Sequence, residues 1–375
     1  MNENTKIMLH RKSDRLNRPL PWRNNNTETP LPGNVSETKL NDSISDMMVS
    51  ASDLMTRKLP ERPHIMRPWL KAGSLTLVYA KAGVGKSFFA WSVAIAVVKQ
   101  LTIGEWTVDN PAGCLYTDGE MQLDDIQERL LQFAKDLPAD KACLNILSSE
   151  IAAQTDMQII NITERKWRDQ ISEVVRKDLS IGLVILDNVS SLTPGINENS
   201  KKDWDDINQW LLTLRRMGIA VIVIHHASLK GNPRGTSGRY DNVDWTIKLK
   251  DLADATRSSG AYFQVEFVKK RGKRDNALRP FTIRIAHDPD SGLPWQTSHY
   301  ADRKRPPYII ALIGLGMKQR DIAEVLECTE VNVSQIKKKA IKDGLFTEDG
   351  RPTDKWRKAY TGDTIEQVIK EFKEY

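Results

Sequence analysis

The sequence predicts an α/β fold: a mainly parallel central sheet followed by a small all-α unit. Three observations predict it. Short apolar runs alternate with helical stretches between residues 74 and 226. A Gly-containing turn, AKAGVGKS (80–87), joins the first run to the first helix. After Pro306-Pro307 the pattern changes to a compact helical one over 308–346.

The bulk numbers allow this plan. A chain of 375 residues, 40% apolar, can build one large core plus smaller additions. The net charge of +6 permits a polyanionic partner without demanding one. Three cysteines, Cys114, Cys143 and Cys328, lie far apart, lack zinc-ligand spacing and are odd in number. A reducing cytoplasm suits them better than a disulfide framework. The N-terminus has no apolar signal core, and no apolar run approaches the roughly 20 residues needed to span a bilayer. A cytoplasmic protein with no membrane association is expected.

Residues 1–60 are expected to be a flexible arm. Positions 1–36 are rich in Asn, Arg, Pro and Thr and are expected to be loosely tethered. Leu40, Ile44, Met47, Met48, Ala51, Leu54 and Met55 recur at helical spacing. That helix packs either on its own domain or on a neighbouring subunit. Pro60, Pro63 and Pro68 mark the boundary of a main domain over 61–300.

Within it, SLTLVY (74–79) leads to a helix from Lys86 to Gln100. CLYTD (114–118) is followed by helical periodicity through Ile126, Leu130 and Phe133. A helix near 163–178 precedes IGLVILD (181–187), and one around Trp204–Met217 precedes GIAVIVIHH (218–226). Such alternation gives a parallel sheet covered on both faces. NVDWTIKLK (242–250), AYFQVEFVKK (261–270) and PFTIRIA (280–286) lack intervening helices and are expected as antiparallel additions at the far edge. A helical unit at 306–346 and a charged tail at 347–375, with a helix from Thr364, complete the chain.

The turn between first strand and first helix carries the chemistry. In AKAGVGKS, Ala82, Gly83, Val84, Gly85, Lys86, Ser87 and Phe88 form a phosphate-binding loop. Its backbone amides turn inward, and the helix N-terminus favours an anion. Lys86 reaches terminal phosphates and the Ser87 hydroxyl coordinates Mg²⁺. Ala80 stands where the motif has its first Gly. Asp187, ending VILDN, either holds Mg²⁺ through water or caps a loop. In YTDGEM (116–121), Glu120 is the better candidate to activate a water, and Asp118 is a turn residue or its substitute.

These elements, in this order, resemble the plasmid RepA-type hexameric replicative helicases within the wider RecA/DnaB-like ATPases. The matching pieces are WLKAGSLTLVYAKAGVGKSFFAW, LYTDGEM, LVILDNVSSL, VIVIHHAS and GNPRGTSGRYDNVDWTIKLK, over roughly 65–285. The resemblance implies a RecA-like P-loop NTPase fold, ATP and Mg²⁺ as ligands, and a ring of copies, hexameric in the family. It makes Glu120 the catalytic base and His225 or His226 a γ-phosphate sensor. In VKKRGKR (268–274), Lys269 and Arg271 would reach a neighbour's ATP, although residues 265–284, with seven Lys/Arg against two acids, also suit nucleic acid. The loop LKGNPRGTSGR would face a central channel and hold single-stranded DNA, with Lys230, Arg234 and Arg239 on phosphates and Tyr240 the one aromatic placed to stack.

MKQRDIAEVLECTEVNVSQIKKKAIKDGLF (317–346) reads as a helix-turn-helix. Ile322, Ala323 and Leu326 form one apolar face, and Val331, Val333, Ile336 and Ile341 another. Asn332, Ser334, Gln335 and Lys338 are expected to point outward, as groove-reading side chains do. Such units bind duplex DNA or dock on protein. Two functions are in contention: an ATP-dependent DNA helicase or translocase for replication of a plasmid, phage or mobile element, and an ATP-gated DNA-binding regulator or loader.

Overall fold

A computed structural model describes residues 20–23, 48–134, 144–155, 157–196, 201–227, 242–252, 261–271, 275–288, 292–326 and 328–360. The chain divides into two units, Met1–Thr297 and Ser298–Tyr375.

The first unit begins with α1 (Ala51–Thr56), capped by the Ser50 hydroxyl. No residue of α1 is buried, and Met48, Leu54 and Met55 are exposed. The described end of this segment therefore does not pack on its own domain; Leu40, Ile44 and Met47 lie outside the described residues. Then come β1 (His64–Arg67), β2 (Leu70–Lys71), β3 (Leu75–Ala80), α2 (Lys86–Lys99), β4 (Thr107–Val108), β5 (Gly113–Asp118), α3 (Leu123–Ala134) and β6 (Leu144–Ser148). They are followed by α4 (Ser149–Gln154), α5 (Arg165–Lys177), β7 (Ile181–Asp187), α6 (Val189–Leu192), α7 (Lys201–Arg216) and β8 (Ala220–His226). Strands β9 (Trp245–Asp251), β10 (Tyr262–Lys270), β11 (Phe281–Arg284) and β12 (Gln296–His299) finish the sheet.

Nine strands are ordered β12-β11-β10-β9-β3-β8-β7-β5-β6, and a separate small sheet runs β2-β1-β4. Every residue of β3, β5 and β7 is buried, which explains their continuous apolar runs. From Phe89 to Val98 every side chain of α2 is also buried. This helix is apolar all round because the sheet lies on one side and Ile65, Met66, Trp69 and Trp106, from the small sheet and the turn before β4, join the same core. On the opposite sheet face α5 and α7 bury Trp167, Ile171, Val175, Trp204 and Trp210, and Trp210 Nε1 donates to Ser172 Oγ at 2.9 Å.

Two expectations fail in this unit. Strand β9 is not an antiparallel edge: it pairs parallel with β3, and the sheet turns antiparallel at β10, which opposes both β9 and β11. A parallel return needs only enough chain to cross over, and the connection between β8 and β9 is long enough to supply it. Residues 20–23 are docked rather than loose. Leu20 and Arg23 are buried, Leu20 N donates to Leu179 O at 3.1 Å, and the Arg23 guanidinium donates to the carbonyls of Val175 and Ile181. Gly182 permits the approach, since a Cβ there would lie 2.7 Å from Leu20 Cδ1. Leu20 and Arg23 belong to no periodic pattern, so nothing in the sequence reveals them.

The second unit holds α8 (Tyr300–Gly314), α9 (Gln319–Val325), α10 (Glu330–Lys342) and α11 (Asp354–Ala359). Helix α8 runs through Pro306 and Pro307, so the composition change does not mark a helix start. The core gathers Tyr308, Ile309, Ile313, Ile322, Leu326, Val333, Ala340, Phe346 and Trp356. Trp356 stacks on Tyr360 with centroids 5.5 Å apart, and its Nε1 donates to Ile310 O at 3.1 Å. Residues 347–360, read from sequence as tail, thus supply part of this core. Val331, expected inside, is 66% exposed. With about 100° per helical residue, a position two before the buried Val333 faces away from it. Asn332, expected outward, is half-buried, with its Oδ1 enclosed. Among the described residues no helix is long and apolar enough to cross a membrane.

Candidate active site

Strands β3, β5, β7, β8 and β9 point their carboxyl ends into one cleft of about 500 Å³, where an open α/β sheet receives ligands. Residues 82–88 line one wall. Gly83 and Gly85 take φ values of 78° and 113°, which L side chains rarely adopt. A Cβ on Gly85 would also lie 2.8 Å from both Ala261 Cβ and Phe263 Cδ1, so the start of β10 fixes the loop from behind. Ala80 tolerates its side chain because it is still part of β3, in register with His226.

Lys86 is buried and its Nζ donates to Lys81 O at 3.2 Å, inside the loop's curl. The Ser87 hydroxyl donates to the Asp187 carboxylate. A second hydroxyl, from Tyr116, donates to Asp187 Oδ2, and Trp91 stacks on the Tyr116 ring at 4.2 Å and 16°. Burial pushes the Asp187 carboxyl up from its usual range, and the Tyr116 and Ser87 hydrogen bonds oppose that shift. A hydroxyl and a carboxylate joined at one corner of the cleft are oxygen donors suited to Mg²⁺. Among the described residues no group of three His, Cys, Asp or Glu side chains forms a metal cluster.

Asp118, at the end of β5, is a turn-former. It accepts from the backbone N–H of Met121 at 2.7 Å and of Glu120 at 3.0 Å. Burial pushes its pKa up to about 6 against those two bonds. The turn so fixed presents Glu120, exposed, to the cleft. Asn188 Nδ2 donates to Glu120 Oε2, and Asn188 Oδ1 accepts from Ser191 N at 3.1 Å as the N-cap of α6. Asn188 was not singled out from sequence; its signal is a polar residue directly after the strand-end acid. Asn188→Ala should lower ATPase kcat by about 10- to 100-fold through misplacing the base, with KM for ATP within about twofold. A steady-state titration checks this, and an unchanged kcat would leave Glu120 positioned by its turn alone.

His226 lines the cleft, whereas His225 is buried with Nδ1 2.8 Å from His226 O. Of the pair, His226 is therefore the ring that faces the cleft. Tyr262 and Arg284 face each other across β10 and β11, with the guanidinium 4.9 Å from the ring centroid, and line the far wall.

Lys269 and Arg271 are not brought into this cleft. Lys269 pairs with Thr246 and Lys270 with Trp245, which in turn lies beside Thr76. That level is near the beginning of β3, four residues or about 13 Å before the phosphate loop. Arg271 is exposed there, its N–H donating to Asp244 O at 3.0 Å. Lys230, Arg234, Arg239 and Tyr240 lie outside the described residues. Gln335 and Lys338 are exposed on α10 of the second unit.

No curated protein matches the chain. The solved structure of a KaiC-like protein from the hyperthermophilic archaeon Pyrococcus horikoshii OT3 is 14% identical, with a TM-score of 0.45, over 64% of this chain and 99% of that one. The family model described as an AAA domain matches residues 37–232, which carry the phosphate loop, Glu120, Asp187 and His226. That match covers more than half of the sequence, and the chain belongs to this AAA-domain family of P-loop ATPases.

Proposed function

We propose that the protein is an ATP-driven DNA helicase or translocase of the RepA type, working in the cytoplasm as a ring, hexameric as in that family, for replication of a plasmid, phage or mobile element. One observation carries this reading. The hydrolytic side chains share a cleft at one end of the sheet, while Lys269 and Arg271 stand at the other end, out of reach of their own phosphate loop. A subunit built that way completes a neighbour's site rather than its own. The exposed Met48, Leu54 and Met55 suit docking on that neighbour. Lys230, Arg234 and Arg239 would grip single-stranded DNA in the channel through its phosphates.

In the cleft, the loop amides and Lys86 hold the phosphates, Glu120 orients and deprotonates the attacking water, and His226 contacts the terminal phosphate. Ser87 and Asp187 would hold Mg²⁺, which would supply positive charge against the phosphates. Coupling of hydrolysis to the strand then follows from the shared interface.

The second reading, an ATP-gated DNA-binding regulator or loader, is favoured by the C-terminal unit. There α9 and α10, joined through residues 326–329, read as a helix-turn-helix with Gln335 and Lys338 outward. A strand-displacement assay on a forked duplex decides between them: wild type should separate strands with ATP, and Glu120→Gln should not. Retained ATPase and duplex binding without displacement would put the regulator ahead. Replacing Gln335 and Lys338 together by Ala should weaken duplex binding about tenfold, and unchanged affinity would make α10 a protein-docking helix.

A further inference from the structure

Helix α10 shows the solvent one ordered stripe. Its inner side is set by the buried Val333 and Ala340, with Ile336 and Ile341 partly buried against the same core. Val333 and Ala340 lie two turns apart, so one line along the helix is fixed inward. Val331, Gln335, Lys338 and Lys342 follow one another at intervals of four, three and four residues, lie on the opposite line and are all exposed. Thr329 holds this phase as the N-cap, its hydroxyl accepting the N–H of Asn332 at 3.2 Å. The stripe therefore runs from an apolar side chain at the amino end, through a carboxamide, to two amines. Glu330 is the one acid of the helix, against four lysines.

That order specifies a ligand chemistry. The lysines suit the phosphates of a polyanion. A carboxamide pairs with adenine through N6 and N7. An isopropyl group has no hydrogen bond to offer, and on the floor of a major groove the group that rewards it is the thymine C5 methyl. The amino-end residues of a groove-reading helix are the ones that reach base edges, and Val331 stands there. We propose that Val331 contacts a thymine methyl, so that the stripe makes the C-terminal unit a reader of duplex sequence and not only of duplex charge. This rests on the duplex-binding reading of α9 and α10 given above, and it adds a base that the exposed polar residues do not select. A protein partner would be met by a broader apolar surface, whereas along the stripe Val331 stands alone above polar side chains.

Selection by the full chain from a pool of short duplexes of randomised sequence supplies the probe. Wild type should enrich a motif that contains thymine, and the variant carrying both Gln335→Ala and Lys338→Ala should not. Replacing the thymines of that motif one at a time by uracil removes only the C5 methyl. At one position this should weaken wild-type binding about fourfold, the worth of one buried carbon. Val331→Ser should bind the thymine and uracil duplexes equally, and Val331→Thr, which keeps one methyl, should fall between. Val331 is exposed, so neither change opens the core. A motif without thymine, uracil duplexes all bound as tightly as their parent, or a full uracil penalty in Val331→Ser would overturn the contact. Binding without any enriched motif would leave charge alone and overturn it too. Wild type that binds no duplex would remove the duplex reading itself and leave α10 as a protein-docking helix.

Discussion

Lys86→Ala is expected to abolish ATP hydrolysis, lowering turnover by on the order of 10³-fold. The amine is enclosed within the loop it serves, 3.2 Å from Lys81 O, and among the described residues no other lysine lines the cleft. It faces phosphate charge in the ground state and still more as the terminal group departs, so both nucleotide affinity and kcat should fall. Glu120→Gln provides the contrast. In the proposed mechanism Glu120 acts on the water and not on the phosphates, and Asn188 can still hydrogen-bond a carboxamide oxygen. That variant should bind ATP about as well as wild type while turnover falls by about 10²-fold or more. Phosphate release and nucleotide binding measured on the same preparations separate the two losses. Wild-type turnover in Lys86→Ala would refute the phosphate-loop assignment. Retained hydrolysis in Glu120→Gln would move the base elsewhere, and Asp118, with both backbone N–H groups of its turn already on it, is poorly placed to take over.

The phosphate loop was legible because its chemistry is local. Gly83 and Gly85 are needed for φ values that the next residues cannot adopt, and strand, turn and helix follow within a dozen positions. Asp187 and Glu120 were legible for a related reason: each ends or follows an apolar strand, and parallel strands carry their ends to one side. The residues that hold these acids were not. Tyr116 reaches Asp187 across two strands, Asn188 reaches Glu120 over 68 positions of sequence, and Arg129 points into the cleft from a helix whose apolar pattern includes Leu130 and Phe133. These are tertiary relations between residues with no common period. The same limit hid the direction of β9, which β3 decides, and the place of Trp356, an aromatic in a charged stretch that fits where Gly314 leaves room. Helix phase misled for Val331 because the capping Thr329 sets where α10 begins, and that start turns Val331 outward.

Arg271→Ala should be nearly inactive alone yet still bind ATP, and mixing it with Glu120→Gln should restore activity. The geometry requires this if Arg271 acts at all in catalysis. Its backbone is pinned to Asp244, whose carboxylate accepts the N–H of Leu75 at 2.9 Å, so it is held at the start of β3 while the phosphates lie beyond its end. No side chain spans that separation within one subunit, but a neighbour presenting its phosphate loop to this end of the sheet would be within reach. In a mixed ring, a site of an Arg271→Ala subunit retains Glu120 and can receive Arg271 from a Glu120→Gln neighbour. With equal mixing about one interface in four is of this kind, and a comparable fraction of wild-type turnover should return if sites fire independently. Size measured with a non-hydrolysable ATP analogue shows whether rings form under the same conditions. Rings that give no rescue at any mixing ratio would remove Arg271 from independently firing sites. A monomer with the analogue bound would sink the ring altogether and leave the ATP-gated regulator as the reading that the cleft and the C-terminal helices support.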